Sequence, residues 1–320
     1  MKKKLLTFLA LFLCTLILPA FALFVEKPSG EGAAGQSSSG GEQSGSTAAA
    51  PQGFQVEGAG TLSAEDYVVG VLCGEMPALF EREALKAQAV AAYTYACYYV
   101  QNTGDTLPAG SSSFQRYLSP EAYREMMGDK AEEYLANFHQ LVGEVKNQVL
   151  VYDSQPILAV YHSISPGVTE KGETFFNGSF PYLAAVDSSS DEMEDGFAAS
   201  VVFTTKELEE KLRAAFPDIT FPEDPAAYLK INSFSEAGNV LEVQAGDQTV
   251  TGLALRDALG LRSAVFSVSY SGGLFTFTTK GYGHGVGMSQ HGANAMAKQG
   301  KSYADILAHY YPGTSIETLS

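Results

Sequence analysis

Gly74-Glu75-Met76-Pro77-Ala78-Leu79-Phe80-Glu81-Arg82-Glu83-Ala84-Leu85-Lys86-Ala87-Gln88-Ala89-Val90-Ala91-Ala92-Tyr93-Thr94-Tyr95-Ala96 is the stretch that decides the reading of this chain. Pro77 lacks a backbone N–H and disfavours helix at Met76, so the chain must break there. Glu75 is thereby held at a helix end, a good place to present one acid to a cleft. From Glu83 to about Val100 the pattern is helical and alanine-rich, with Leu85, Ala89, Ala92 and Ala96 at helical spacing. Lys86 and Tyr93 lie two turns apart on one side of this helix, with Gln88 off that line.

The chain has 320 residues, 45% hydrophobic and 18% charged, enough for two compact lobes with a substantial core. The formal net charge is −16. Lys2, Lys3, Lys4 and Lys27 balance Glu26, Glu31, Glu42 and Glu57, so the whole of that charge falls on residues 59–320. Such a domain repels nucleic acid and anionic lipid. Cys14 lies in an N-terminal apolar run. Cys73 and Cys97 either pair across packed helices or remain buried thiols, and the thiols are the reading taken. Tyr and Phe can stack on sugars in place of the absent Trp.

Met1 to Lys4 is basic, and Leu5 to Val25 is an uncharged apolar run. Residues 1–25 therefore read as a single-pass membrane anchor or a signal peptide, with the lysine end in the cytoplasm. Ala20-Phe21-Ala22 is a small-x-small cleavage pattern; if it is cleaved, the product is secreted. Either way the remainder lies outside the cytoplasm. Residues 26–58, rich in Gly, Ser, Ala and Gln, read as a flexible tether with a reach of roughly 30 Å.

Folding is expected over residues 59–320, as an α+β domain with a helical N-terminal part packed on mixed or antiparallel strands and two lobes forming a cleft. Ser63-Ala64-Glu65-Asp66 caps a short helix. Residues 105–118 read as irregular, and helices follow over 120–128 and 130–142. Gln148–Tyr152 and Pro156–His162 read as a hairpin. Residues 201–260 read as an inserted or second α+β lobe, with a hairpin over 264–280 after it. Gly281-Tyr282-Gly283-His284-Gly285-Val286-Gly287-Met288-Ser289-Gln290-His291-Gly292-Ala293 has glycine at alternate positions, where backbone amides can approach a ligand and His284 and Gln290 project from a crowded turn. A helix is expected to resume at Ala293.

Four motifs together resemble the stage II sporulation protein D (SpoIID) family. They are Glu75-Met76-Pro77 with Ala84–Ala92; His162-Ser163 with Gly167 and Thr169-Glu170; Pro181-Tyr182-Leu183; and the glycine-rich run with Gly292-Ala293. The resemblance runs from about Thr61 to Thr314 and is weakest in the middle lobe. It implies a lytic transglycosylase that cuts peptidoglycan strands lacking stem peptides, in sporulation and its engulfment step. The implied catalytic residue is Glu75. Lys86, Gln88, Tyr93, His162, Thr169, Tyr182, His284 and Gln290 are the implied substrate-binding residues. The chain departs from the family's usual Arg at Tyr93 and from its usual Gly at Pro166.

Such a reaction needs one carboxyl group. Most glycosidases use two, because water or the enzyme supplies the nucleophile. Here the C6 hydroxyl of N-acetylmuramic acid attacks, leaving a 1,6-anhydro end. The single acid must have a pKa lifted toward neutrality, and Met76, Leu79 and Phe80 could wall it in. Some relatives hold zinc through His and Cys in the loop at His162; this loop has no Cys, so neither a metal nor another cofactor is expected. A cell-wall amidase that first strips peptides is the implied partner, beside other wall-remodelling proteins of sporulation. The competing reading is a non-catalytic peptidoglycan-binding enhancer of such an amidase, like the related LytB proteins.

Overall fold

The computed structural model describes residues 50–104, 106–109 and 114–320. The expected anchor, and all but the end of the expected tether, lie outside them. Among the described residues no helix is long and apolar enough to cross a membrane.

Ordered structure begins before residue 59. Strand β1 (Gly53–Val56) pairs with β2 (Gly60–Ser63), because Phe54 and Val56 alternate inward while Gln55 faces out. Helix α1 (Ala64–Glu75) starts at Ser63, whose hydroxyl accepts from Asp66 N–H at 3.0 Å. Helix α2 (Arg82–Thr103) is the central strut of the first core. Its small alanines let α1, α4 (Ala131–Glu144), α7 (Gln290–Lys298) and α8 (Tyr303–Tyr310) all pack against it. Strand β3 (Thr106–Leu107) pairs in parallel with β1, and α3 (Pro120–Met127) packs on α4. The Thr94 hydroxyl donates to Val90 O within α2 and accepts from Leu150 N–H, tying that helix to β4 (Gln148–Tyr152).

The expected hairpin is only partly present. Strand β5 (Gln155–Pro156) pairs with the end of β4, and residues 157–160 then leave the sheet. The long edge of β4 is taken by β14 (Ser315–Thr318), a partner from the far end of the chain. Strand β6 (Tyr161–His162) instead runs parallel to β13 (Met288–Ser289).

A second hydrophobic cluster covers residues 203–277 and so extends past the expected boundary at 260. It joins β7 (Ala198–Thr204), α5 (Thr205–Ala215), β8 (Leu229–Phe234), β9 (Val240–Ala245), β10 (Gln248–Thr251), α6 (Gly252–Leu259), β11 (Phe266–Ser271) and β12 (Leu274–Lys280). The hairpin β11–β12 belongs here because β12 also pairs with β7 along its whole length. Its Phe275 and Phe277 are buried among Phe203, Phe266 and Tyr228. With most helices on the first core and sheets that are mostly antiparallel, the fold class is α+β. Cys73 and Cys97 are separate buried thiols.

Candidate active site

Glu75 is the last residue of α1, and the Met76 N–H still reaches back to Leu72 O. Segment 114–118 lies directly against this end of the helix. Glycine makes that approach possible: a Cβ at Gly74 would lie 2.3 Å from Arg116 O, and one at Gly70 would lie 2.2 Å from the Tyr117 ring. Leu118 N–H donates to Gly70 O at 3.0 Å. The Arg116 backbone N–H then donates to Glu75 Oε1 at 2.5 Å. Glu75 is half-buried. Burial pushes its carboxyl up to about 7, against the lowering effect of the Arg116 N–H and the Arg116 guanidinium. Beneath it the Gln115 side chain donates to Tyr67 Oη and Ala92 O and accepts from Tyr161 Oη. Burial, with the Glu75 charge adding to it, holds the phenols of Tyr161 and Tyr67 well above their usual range, so both stay neutral.

Helix α7 holds the other side of the Glu75 loop. It starts at Gln290, before the expected Ala293, because the Ser289 hydroxyl caps it by accepting from Gly292 N–H at 3.1 Å. Gln290 Nε2 donates to Glu75 O at 3.3 Å, and Asn294 Oδ1 accepts from Glu81 N–H at 2.8 Å. Between them the His291 ring meets Phe80 edge-on at 5.0 Å, while its Nδ1 lies 3.0 Å from Glu194 Oε2. Met76 is buried in the core, whereas Leu79 is 82% exposed and forms no wall.

In the glycine-rich run Gly281, Gly283 and Gly287 face the chain's own 160–166 segment. A Cβ at Gly287 would lie 2.0 Å from Val160 O, and one at Gly283 would lie 2.7 Å from His162 Cβ, both at positive φ. The packing brings His284 and His162 together, with ring centroids 5.8 Å apart. His162 Nδ1 donates to Val286 O, and His284 Nδ1 accepts from Val286 N–H. Burial lowers His162 to about 4; burial, then the charges of His162 and Arg256, lowers His284 to about 3. Both are neutral near pH 7.

The remaining expected binding residues are distributed elsewhere. Gln88 is fully buried in α2, its amide without a protein partner among the described residues. Tyr93 is buried against Phe54. Thr169 is buried, its hydroxyl donating to Ala184 O and accepting from Val186 N–H. Tyr182 is buried beside Tyr152 and accepts from Leu158 N–H. Lys86 pairs with Glu83 and Glu144 and lies over the Tyr303 ring. In the described fold Gln88, Tyr93, Thr169 and Tyr182 are buried and Lys86 is ion-paired. Of the expected set, Gln290 contacts Glu75, and His162 follows Tyr161 in β6.

Sequence reasoning missed Arg116, whose segment reads as irregular; the paired glycines at 70 and 74 were the available signal. It also missed buried Asp191, which accepts from Ser165 N–H and the hydroxyls of Ser289 and Ser188 and is raised to about 6 by burial. Glu170 is likewise buried and accepts from the Ser235 hydroxyl and the Asn239 amide. Among the described residues no group of three or more His, Cys, Asp or Glu could hold a metal ion.

The stage II sporulation protein (SpoIID) family profile matches residues 54–152, which include α1, the Glu75 loop and α2. Stage II sporulation protein D of Bacillus subtilis (strain 168) is 38% identical over 258 residues, covering 79% of this chain and 74% of that protein. The Bacillus amyloliquefaciens protein of the same name is 37% identical, covering 79% and 73%. An amidase enhancer of Bacillus subtilis (strain 168) is 30% identical, covering 77% of this chain and 40% of that protein. With a family member this similar over most of both chains, the chain belongs to the stage II sporulation protein D family.

Proposed function

We propose that the chain is a peptidoglycan lytic transglycosylase with Glu75 as its single acid/base. The observation that carries this reading is a carboxyl raised to about 7 whose charged neighbour is a guanidinium. The causes of that shift are burial and Arg116, and a mechanism with one acid/base needs no second carboxylate beside it. Protonated Glu75 gives its proton to the glycosidic oxygen as the bond to the anomeric carbon breaks. The carboxylate then takes the proton from the C6 hydroxyl as that oxygen bonds to the same carbon. Water takes no part, and the enzyme ends the cycle protonated. The Arg116 N–H on the Glu75 carboxyl and the contacts of α7 to Glu75 O and Glu81 N–H orient the acid for proton delivery.

The substrate on this reading is a glycan strand freed of stem peptides, outside the cytoplasm, reached from a membrane anchor or after secretion. A cell-wall amidase acts before it, during engulfment in sporulation. The competing reading, a non-catalytic enhancer of that amidase, drew its weight from Tyr93 standing in place of Arg. Tyr93 packs against Phe54, and Arg116 brings a guanidinium to Glu75, which favours the enzyme. The test is product analysis by mass spectrometry on peptide-free strands with the wild-type chain and Glu75→Gln. Anhydro ends from the wild type alone support the reading. Binding without cleavage by both proteins would support the enhancer.

A further inference from the structure

Arg116 is the unexplained charge at this site. Its stem lies on α1, with Cγ 3.2 Å from where a Gly74 Cβ would be, and its backbone N–H holds Glu75. The residue is half-buried, and its guanidinium has no hydrogen bond or ion pair with any other described residue. It acts on Glu75 through its charge alone. In a domain that carries the whole net charge of −16, an arginine left without a carboxylate partner beside the reacting acid is a vacancy for an anion.

We propose that Arg116 binds the free lactyl carboxylate of the muramic acid unit being cleaved, and so selects strands from which the peptide has been removed. This rests on the transglycosylase reading. The chemistry is specific: the stem peptide is joined to that lactyl group through an amide. Removing it turns a neutral amide into an anion at neutral pH. The lactyl ether sits on the same sugar ring as the anomeric carbon that Glu75 serves, and the Arg116 guanidinium is near enough to act on the Glu75 carboxyl by its charge. The planar fork of arginine takes a carboxylate in paired hydrogen bonds and gains far less from an amide.

A second effect follows from position. The groups facing Glu75 are Arg116, the neutral phenols of Tyr67 and Tyr161, and the Gln290 amide from α7. Arg116 is the one that pulls the Glu75 pKa down by charge. A substrate carboxylate paired with Arg116 cancels that pull and keeps Glu75 protonated in the complex. Peptide-free strands thus meet an acid that is loaded for the first proton transfer.

The experiment uses peptide-free strands and the same strands with their lactyl carboxylates converted to methylamides. Binding is measured by calorimetry to Glu75→Gln, which cannot turn over, and to Glu75→Gln/Arg116→Gln. The single variant is expected to bind the carboxylate strands about tenfold or more tightly than the amides. The double variant is expected to bind both alike, at the level of the amides. Glu75→Gln/Arg116→Lys keeps the stem and the charge and retains a reduced preference, which guards against a folding defect. In the wild type, the alkaline limb of kcat should lie above that of kcat/KM with carboxylate strands and coincide with it for amides. A preference that survives Arg116→Gln, or no preference at all, overturns the inference. Arg116-dependent preference without anhydro products would sink the reaction while leaving the carboxylate site. Anhydro products without such preference would do the reverse.

Discussion

Arg116 N–H donates to Glu75 Oε1 at 2.5 Å, so the acid at the end of α1 is oriented by a segment 41 residues further along the chain. The bond comes from the backbone, which survives any change of the Arg116 side chain. Glu75→Gln also keeps it, because the amide oxygen accepts equally well. This variant is expected to fold with unchanged stability and to lose cleavage by about 100-fold or more, while strand binding persists. Initial rates and a thermal melt on the same preparation check both halves.

The pH profile has a definite sign. On the proposed mechanism Glu75 must be protonated to begin, and burial raises it to about 7. Activity as kcat/KM should therefore fall as pH rises through about 7. Arg116 lowers this pKa, so Arg116→Gln should move the alkaline limb upward even where it weakens binding. Profiles of the two proteins side by side decide it, and a downward move would contradict the electrostatic account.

The glycines of α1 carry a stability prediction. Gly74→Ala drives a methyl to 2.3 Å from Arg116 O, and Gly70→Ala drives one to 2.2 Å from the Tyr117 ring. Overpacking of this kind costs roughly 1–3 kcal/mol, despite the better helix propensity of alanine. Gly74→Ala should lose activity beyond its stability loss, because it pushes Arg116 off Glu75. Denaturant melts and rates at a temperature where the variant stays folded separate the two.

Helix α7 should matter through the loop it holds. Asn294→Ala removes the acceptor for Glu81 N–H, and Gln290→Ala removes the donor to Glu75 O. Each is expected to cost about 1 kcal/mol of stability and to lower kcat more than it raises KM. Tyr93→Phe, by contrast, alters a hydroxyl in the core and should leave both kinetic constants alone.

Acid should weaken the fold through the two neutral histidines. His162 is depressed to about 4 and His284 to about 3, so their contribution is complete above the unfolded value near 6.5 and is lost as pH falls toward those values. Raised Glu75 and Asp191 oppose this, since protonation suits them in the fold. His162→Gln should flatten the stability profile between pH 6 and 4, measured by urea melts, about 2 pH units over which the wild type declines.

Much of this arrangement was legible in the chain, and the reason differs by element. Pro77 placed the break after Glu75, and capping serines placed α1 and α3, because those signals act within a few residues. The partner of β4 was not legible: β14 lies at the far end of the chain, and a β-rich run does not say which strand it meets. The same limit applied to the site. Glu75 and Gln290 stood out in motifs, whereas Arg116 reaches Glu75 only through the groove that Gly70 and Gly74 open. Gln88, Tyr93 and Thr169 were implied as substrate-binding residues, and depth of burial is what the sequence could not supply for them.

The most direct test of the central claim is cleavage of peptide-free strands in water labelled with heavy oxygen, followed by mass spectrometry of the new ends. The account predicts ends lighter by one water than a reducing sugar, carrying no heavy oxygen, and absent with Glu75→Gln. Reducing ends that carry the label would mean that water is the nucleophile, and the single-carboxylate mechanism would be wrong.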